Sequence, residues 1–126
     1  MAAWARGSTP LPLKETWEGL FSERGIRFEG ATATQPPAEG ERFSVIAPGG
    51  ERFSGTVALS IPTEFVGFVD DLEGGIFRVD TFRAAERTGM ILWVSSYAEA
   101  DRPRLEAFER QAQAFLDATF HVPAMR

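Results

Sequence analysis

One histidine, no cysteine and 18 acids give this chain a narrow chemical inventory. His121 follows the last apolar stretch and precedes Val122-Pro123. An imidazole base must be held by a third group inside the fold, and nothing around His121 supplies one. It reads as a helix-end residue, and no catalytic residue is assigned. Without cysteine there is no disulfide scaffold, thiolate metal site or Cys nucleophile. One His plus carboxylates does not make a transition-metal site, so no metal and no cofactor is expected. The acids that remain are Asp70, Asp71 and Glu73, crowded in one turn, and Asp80. Crowding like charges raises one pKa, although a solvated turn explains the same residues. Asp80 alternates with Phe77, Val79 and Phe82. Pointing inward it would be a candidate general acid or base, whereas pointing outward it would pair with Arg78 or Arg83.

The aromatic residues are a stronger lead. Eleven Phe and three Trp stand against one Tyr. Phe has no polar tip, so these rings must fill a core or line a hollow. Trp93 and Tyr97 share strand parity, and Phe108 and Phe115 lie on one face of a helix. A cavity between sheet and helix would be lined by Trp93, Phe108 and Phe115, with Ser95 and Tyr97 as the polar groups that orient a ligand. The competing reading is that the rings simply occupy that space. Gly49-Gly50 and Gly74-Gly75 read as hairpin glycines, because a phosphate cradle needs a strand-to-helix setting.

These residues are positioned by a meander of strands and one final helix. Residues 1–12 carry little pattern. Leu13, Trp17, Leu20 and Phe21 make a two-turn helical stripe, with Gly25 as its stop. Ile26 and Phe28, then Phe43 and Val45, alternate as half-buried strands, separated by a loop at Gln35–Gly40. Phe53, Gly55, Val57, Leu59 and Ile61 are expected on one face of the next strand. Phe65–Val69 is apolar on both faces, and Gly67 there implies a bend or a close approach. Ile76–Phe82 and Met90–Tyr97 form a last hairpin. Asp101 and Pro103 then open a helix of roughly 18 residues. Leu105, Phe108, Ala112, Phe115, Leu116, Thr119 and Phe120 share its inner face, while Glu106, Glu109, Arg110, Gln113 and Asp117 face away. The length of 126 residues fits a single domain, 1–126.

The net charge of −5, with a single Lys, argues against nucleic-acid binding. No apolar run approaches a membrane span of about 18 residues. No secretory leader is visible, so the expected location is cytoplasmic.

The strand order and several local strings carry a family likeness. These are Gly40-Glu41-Arg42-Phe43, Gly55-Thr56-Val57, Gly75-Ile76-Phe77-Arg78-Val79, and Leu92-Trp93-Val94-Ser95-Ser96-Tyr97 followed by the helix Leu105 to Phe120. On these the chain resembles the START-like (SRPBCC) superfamily, and within it the Hsp90-ATPase-activator-homology branch. The resemblance spans about Gly25 to Phe120. It implies an α+β helix-grip fold, a curved antiparallel sheet of about six strands packed on a long C-terminal helix. It also implies a binding module for a hydrophobic or amphipathic small molecule between sheet and helix. Two alternatives stand beside that reading: a ligand-free, co-chaperone-like interaction protein, and a cyclase- or aromatase-type enzyme using an inward Asp80. Members of the family open with a strand. Here either Ala2 to Arg6 supplies a short one or it is absent, and an absent strand would leave an edge for a homodimer to cover.

Overall fold

The computed structural model describes residues 1–30 and 36–120. Seven strands form one antiparallel sheet: β1 (Ala2–Thr9), β2 (Arg27–Phe28), β3 (Arg42–Ile46), β4 (Arg52–Ile61), β5 (Glu64–Val69), β6 (Gly75–Ala84) and β7 (Arg87–Ser95). Their spatial order is β1-β7-β6-β5-β4-β3-β2. Helix α1 (Leu13–Leu20) follows β1, and α2 (Arg102–Phe120) follows β7 after a 3-10 turn at Glu99–Asp101. The sheet is curled, and the helices lie on its concave face. The α+β helix-grip architecture read from the sequence is the observed one, with seven strands in place of about six.

The additional strand is β1, paired residue for residue with β7 from Ala2↔Ser95 to Thr9↔Thr88. It reads poorly as a strand because its inward positions are Ala3 and Ala5, small residues without β preference. Their smallness has a use, since it lets α2 lie close against β1. The outer edge of β1 is not left open. Trp4 N–H donates to Glu109 Oε1 (3.3 Å), Arg6 N–H donates to Gln113 Oε1 (3.1 Å), and Gln113 Nε2 donates to the Arg6 carbonyl (3.0 Å). Side chains of α2 thus occupy the backbone groups that a further strand would use. Glu109 and Gln113, expected to face away, grip the sheet edge instead. The open edge on which a homodimer was expected is therefore covered.

Other departures have local causes. Pairing of β4 with β5 slips between Val57 and Leu59, a β-bulge that inserts one residue. Side chains alternate with period two, so the bulge turns the rest of the strand over. Phe53 and Val57 are buried against the core, whereas Leu59 is half-buried and Ile61 is exposed. Strands β6 and β7 meet in a tighter hairpin than expected, with Ala84 paired to Arg87 and Ala85 at φ 56° between them. Strand β7 ends at Ser95, so Tyr97 lies beyond it. Gly67 does mark a close approach: a Cβ there would stand 2.3 Å from the Phe43 ring. The Asp101 carboxylate accepts the Ser96 hydroxyl (2.6 Å), tying the exit of β7 to the start of α2.

The core is a continuous set of rings on the concave face. Trp17 of α1 meets Phe21 (4.9 Å between centroids), Phe21 meets Phe28, and Phe28 meets Phe65 (5.0 Å). Phe65 touches Phe43 and Phe77, and Phe77 leads to Phe53 and to Phe108 of α2. Phe53, Phe65, Phe77 and Phe108 are each fully buried. Ring pairs of this geometry contribute beyond their area burial.

Candidate functional site

The expected lining residues separate across the sheet. Phe108 lies in the ring set just described, on the concave side. Phe115 is also on that side and is nearly buried, its ring close to Gly25. Trp93 and Ser95 alternate with the buried Leu92 and Val94, which places them on the convex face, away from α2. There Trp93 stands opposite Trp4, ring edge to face, at 5.9 Å between centroids. Tyr97 is 82% exposed beyond the strand. The five residues do not surround one cavity. Strand periodicity fixes which residues share a face but not which face meets the helix, and that choice separates Trp93 from Phe108.

Acids are sorted in the same way. Asp80 sits on the convex face with its carboxylate 2.9 Å from Arg78 Nη2, and Glu64 lies 3.4 Å from the same nitrogen. This is the pairing alternative of the two open for Asp80. The crowded turn is divided between arginines: Asp70 pairs with Arg42, and Asp71 with Arg104 at 2.9 Å. The Arg42 hydrogen bond holds the Asp70 carboxyl below its ordinary range, opposite to what crowding alone would do. His121 lies outside the described residues.

One recess in the described structure was not indicated by the sequence. A cleft of about 910 Å³ lies between α1 and the β4–β5 turn. Leu13, Trp17, Pro36, Ile61 and Pro62 form its apolar walls, and Lys14, Glu18, Ser60 and Thr63 its polar ones. Helix α1 supplies Leu13 and Trp17 one turn apart, with Lys14 and Glu18 on the adjacent stripe. Thr16 anchors the helix start, its backbone N–H (3.0 Å) and hydroxyl (2.9 Å) both donating to the Pro12 carbonyl. The end of β4 and its turn into β5 supply the opposite wall through Ser60, Ile61, Pro62 and Thr63. The β4 bulge is the feature hidden in the sequence, since the run from Arg52 to Ile61 alternates without a break.

No family model matches the chain, and no curated protein is similar enough in sequence to match. Solved structures do match. The Aha1 dimer from Colwellia psychrerythraea aligns at TM-score 0.62 and 13% identity, over 95% of this chain and 96% of that one. Protein CV1439 from Chromobacterium violaceum aligns at 0.60 and 11%, over 94% and 96%. The fold is START-like. DynU16, from the dynemicin biosynthetic locus, aligns at 0.59 and 16% over 96% of this chain, which spans 49% of that chain. At these identities the likeness is one of START-like architecture, in which a curled sheet grips a C-terminal helix. No helix among the described residues is long and apolar enough to cross a membrane.

Proposed function

We propose that this START-like domain binds a small apolar or amphipathic molecule, and that the molecule sits in the cleft between α1 and the β4–β5 turn. The observation that carries this reading is the cleft itself. Its volume of about 910 Å³ lies in the range of small-molecule sites, which run from roughly 300 to 1,000 Å³. Its walls are mostly apolar, with a few polar groups at fixed places. The space between sheet and α2, where binding was expected, is occupied by Phe53, Phe65, Phe77 and Phe108. The expectation of an apolar ligand therefore moves from the grip to the mouth beside α1.

Binding there would draw on apolar burial, at roughly 25 cal/mol per Å² before ordering costs. Lys14 and Glu18 flank the apolar floor, so a ligand with one polar end has a place for it. A reaction of cyclase type has less support, because Asp80 is tied to Arg78 on the far side of the sheet.

The test is equilibrium titration with the neutral fluorophore N-phenyl-1-naphthylamine, whose emission rises on transfer into an apolar site. Wild-type protein should enhance its emission saturably. Leu13→Arg places a charge in the cleft at a half-buried position and should weaken binding about tenfold or more with the fold intact. Absence of saturable binding, or affinity indifferent to Leu13→Arg, would overturn the proposal.

A further inference from the structure

The convex face of the sheet is covered by neither helix, yet it is not a polar surface. The pairing registers arrange it as a grid. One row across β1, β7, β6 and β5 reads Ala2, Ser95, Ile76, Phe68; the next reads Trp4, Trp93, Arg78, Val66; the third reads Arg6, Ile91, Asp80, Glu64. Phe68 is 56% exposed and Trp4 46%, and Phe82 beyond the third row is also exposed, its ring lying over Gly89. The apolar block stops at β5. Farther across, β4 and β3 present Thr56, Ser54, Ser44 and Arg42 on the same face. Two donors within the block, Trp93 Nε1 and Arg78 Nε, are shielded from solvent and have no acceptor among the described residues. Trp, Phe and Arg are the side chains that dominate interface energetics.

We infer that this four-strand block is the interface of a homodimer, in which two copies pack sheet on sheet about a two-fold axis running along the strands between β6 and β7. The grid is complementary to itself under that operation. The axis lays β1 of one copy over β5 of the other, and β7 over β6. Arg6 then faces the partner's Glu64, and Arg78 faces the partner's Trp93, a cation over an indole ring. The projecting Phe68 ring falls on the partner's Ala2, the smallest residue in the block. Trp4 falls on the partner's Val66. Asp80 falls over Ile91 but keeps its ion pair with Arg78 in its own chain. Strands aligned within the sheet twist are a common geometry for two packed sheets. Each contact occurs twice, as a two-fold interface requires. The axis also centres the overlap on the apolar strands and leaves the polar β3 and β4 faces outside it. The cleft beside α1 opens on the concave side, so this interface and the proposed ligand site stand or fall separately.

Sedimentation equilibrium at high micromolar concentration tests the inference. Wild-type protein should sediment at twice the chain mass of 13.9 kDa. Phe68→Asp should give a folded monomer, and Arg6→Glu and Glu64→Arg should each weaken association about tenfold. The double variant Arg6→Glu/Glu64→Arg re-creates the crossed pair and should regain most of the lost affinity. Thermal unfolding of each variant separates loss of association from loss of fold. Glu64→Arg also breaks a contact with Arg78, so rescue by the double variant is the deciding result. A monomeric wild type, a dimer indifferent to Phe68→Asp, or a double variant no tighter than the singles would each overturn the inference.

Discussion

The two faces of the sheet are made of the same material and used in opposite ways. On the concave side Phe53, Phe65, Phe77 and Phe108 touch one another and exclude solvent completely. On the convex side Trp4, Phe68 and Phe82 stand in water beside a guanidinium shared by two carboxylates. Aromatic residues on both faces of an antiparallel sheet are a departure from the usual alternation of apolar-in and polar-out. The Phe excess therefore divides into two parts. One fills the space between the sheet and α2, and the other stands exposed on the convex face.

Stability measurements can break that division. Phe108→Ala removes a ring that contacts Phe53 and Phe77 in a site with no solvent, and should cost about 3–5 kcal/mol. Phe68→Ser, measured on monomeric protein, should stay within about 0.5 kcal/mol because its ring has little to lose on that surface. Urea unfolding of both variants gives the two numbers. Similar losses would mean that the faces are not energetically distinct.

A smaller effect should come from the edge where the faces meet. Gln113 exchanges two hydrogen bonds with the backbone of Arg6, and a third joins its amide to Asp117. Gln113→Ala should cost about 1–2 kcal/mol, since each such bond contributes about 1 kcal/mol net. Amide exchange at Arg6 should speed up selectively, reporting a freed strand edge. Loss of stability without faster exchange at Arg6 would place the effect in α2 itself.

What the sequence made legible follows from what periodicity can and cannot carry. The alternation of β3 and β6 and the stripe Leu105, Phe108, Ala112, Phe115, Leu116, Phe120 are strong patterns, and all of those helix residues are buried, whereas Thr119, expected on the same face, is exposed. A pattern of alternation is symmetric, however, and assigns no face to the helix. Trp93 therefore carried the right parity relative to Ser95 and the wrong side relative to Phe108. Strand β1 was obscured because Ala3 and Ala5 carry little signal, although they are what allows α2 to approach. The β4 bulge leaves no mark in composition. Its consequence, Leu59 and Ile61 turned off the core-facing row, needed the pairing register to become visible. Gln113 looked like an exposed helix residue because its partner is the backbone of a strand more than a hundred residues away.

The smallest predicted effect sharpens the contrast at the polar margin of the convex face. Asp70 accepts a hydrogen bond from Arg42, and this bond holds its carboxyl below the usual range in the folded chain. A group whose folded pKa is depressed contributes stability above its unfolded pKa and loses that contribution as pH falls through the folded value. The difference between wild type and Asp70→Asn should therefore be flat from neutral pH down to about 4, the ordinary Asp range, and shrink below it. Both partners are more than half exposed, so the difference should be small throughout and should diminish further in high salt. Parallel urea curves across acidic pH measure it. A gap that widens with acidification would mean that protonated Asp70 is the form the fold prefers, reversing the sign argued from Arg42.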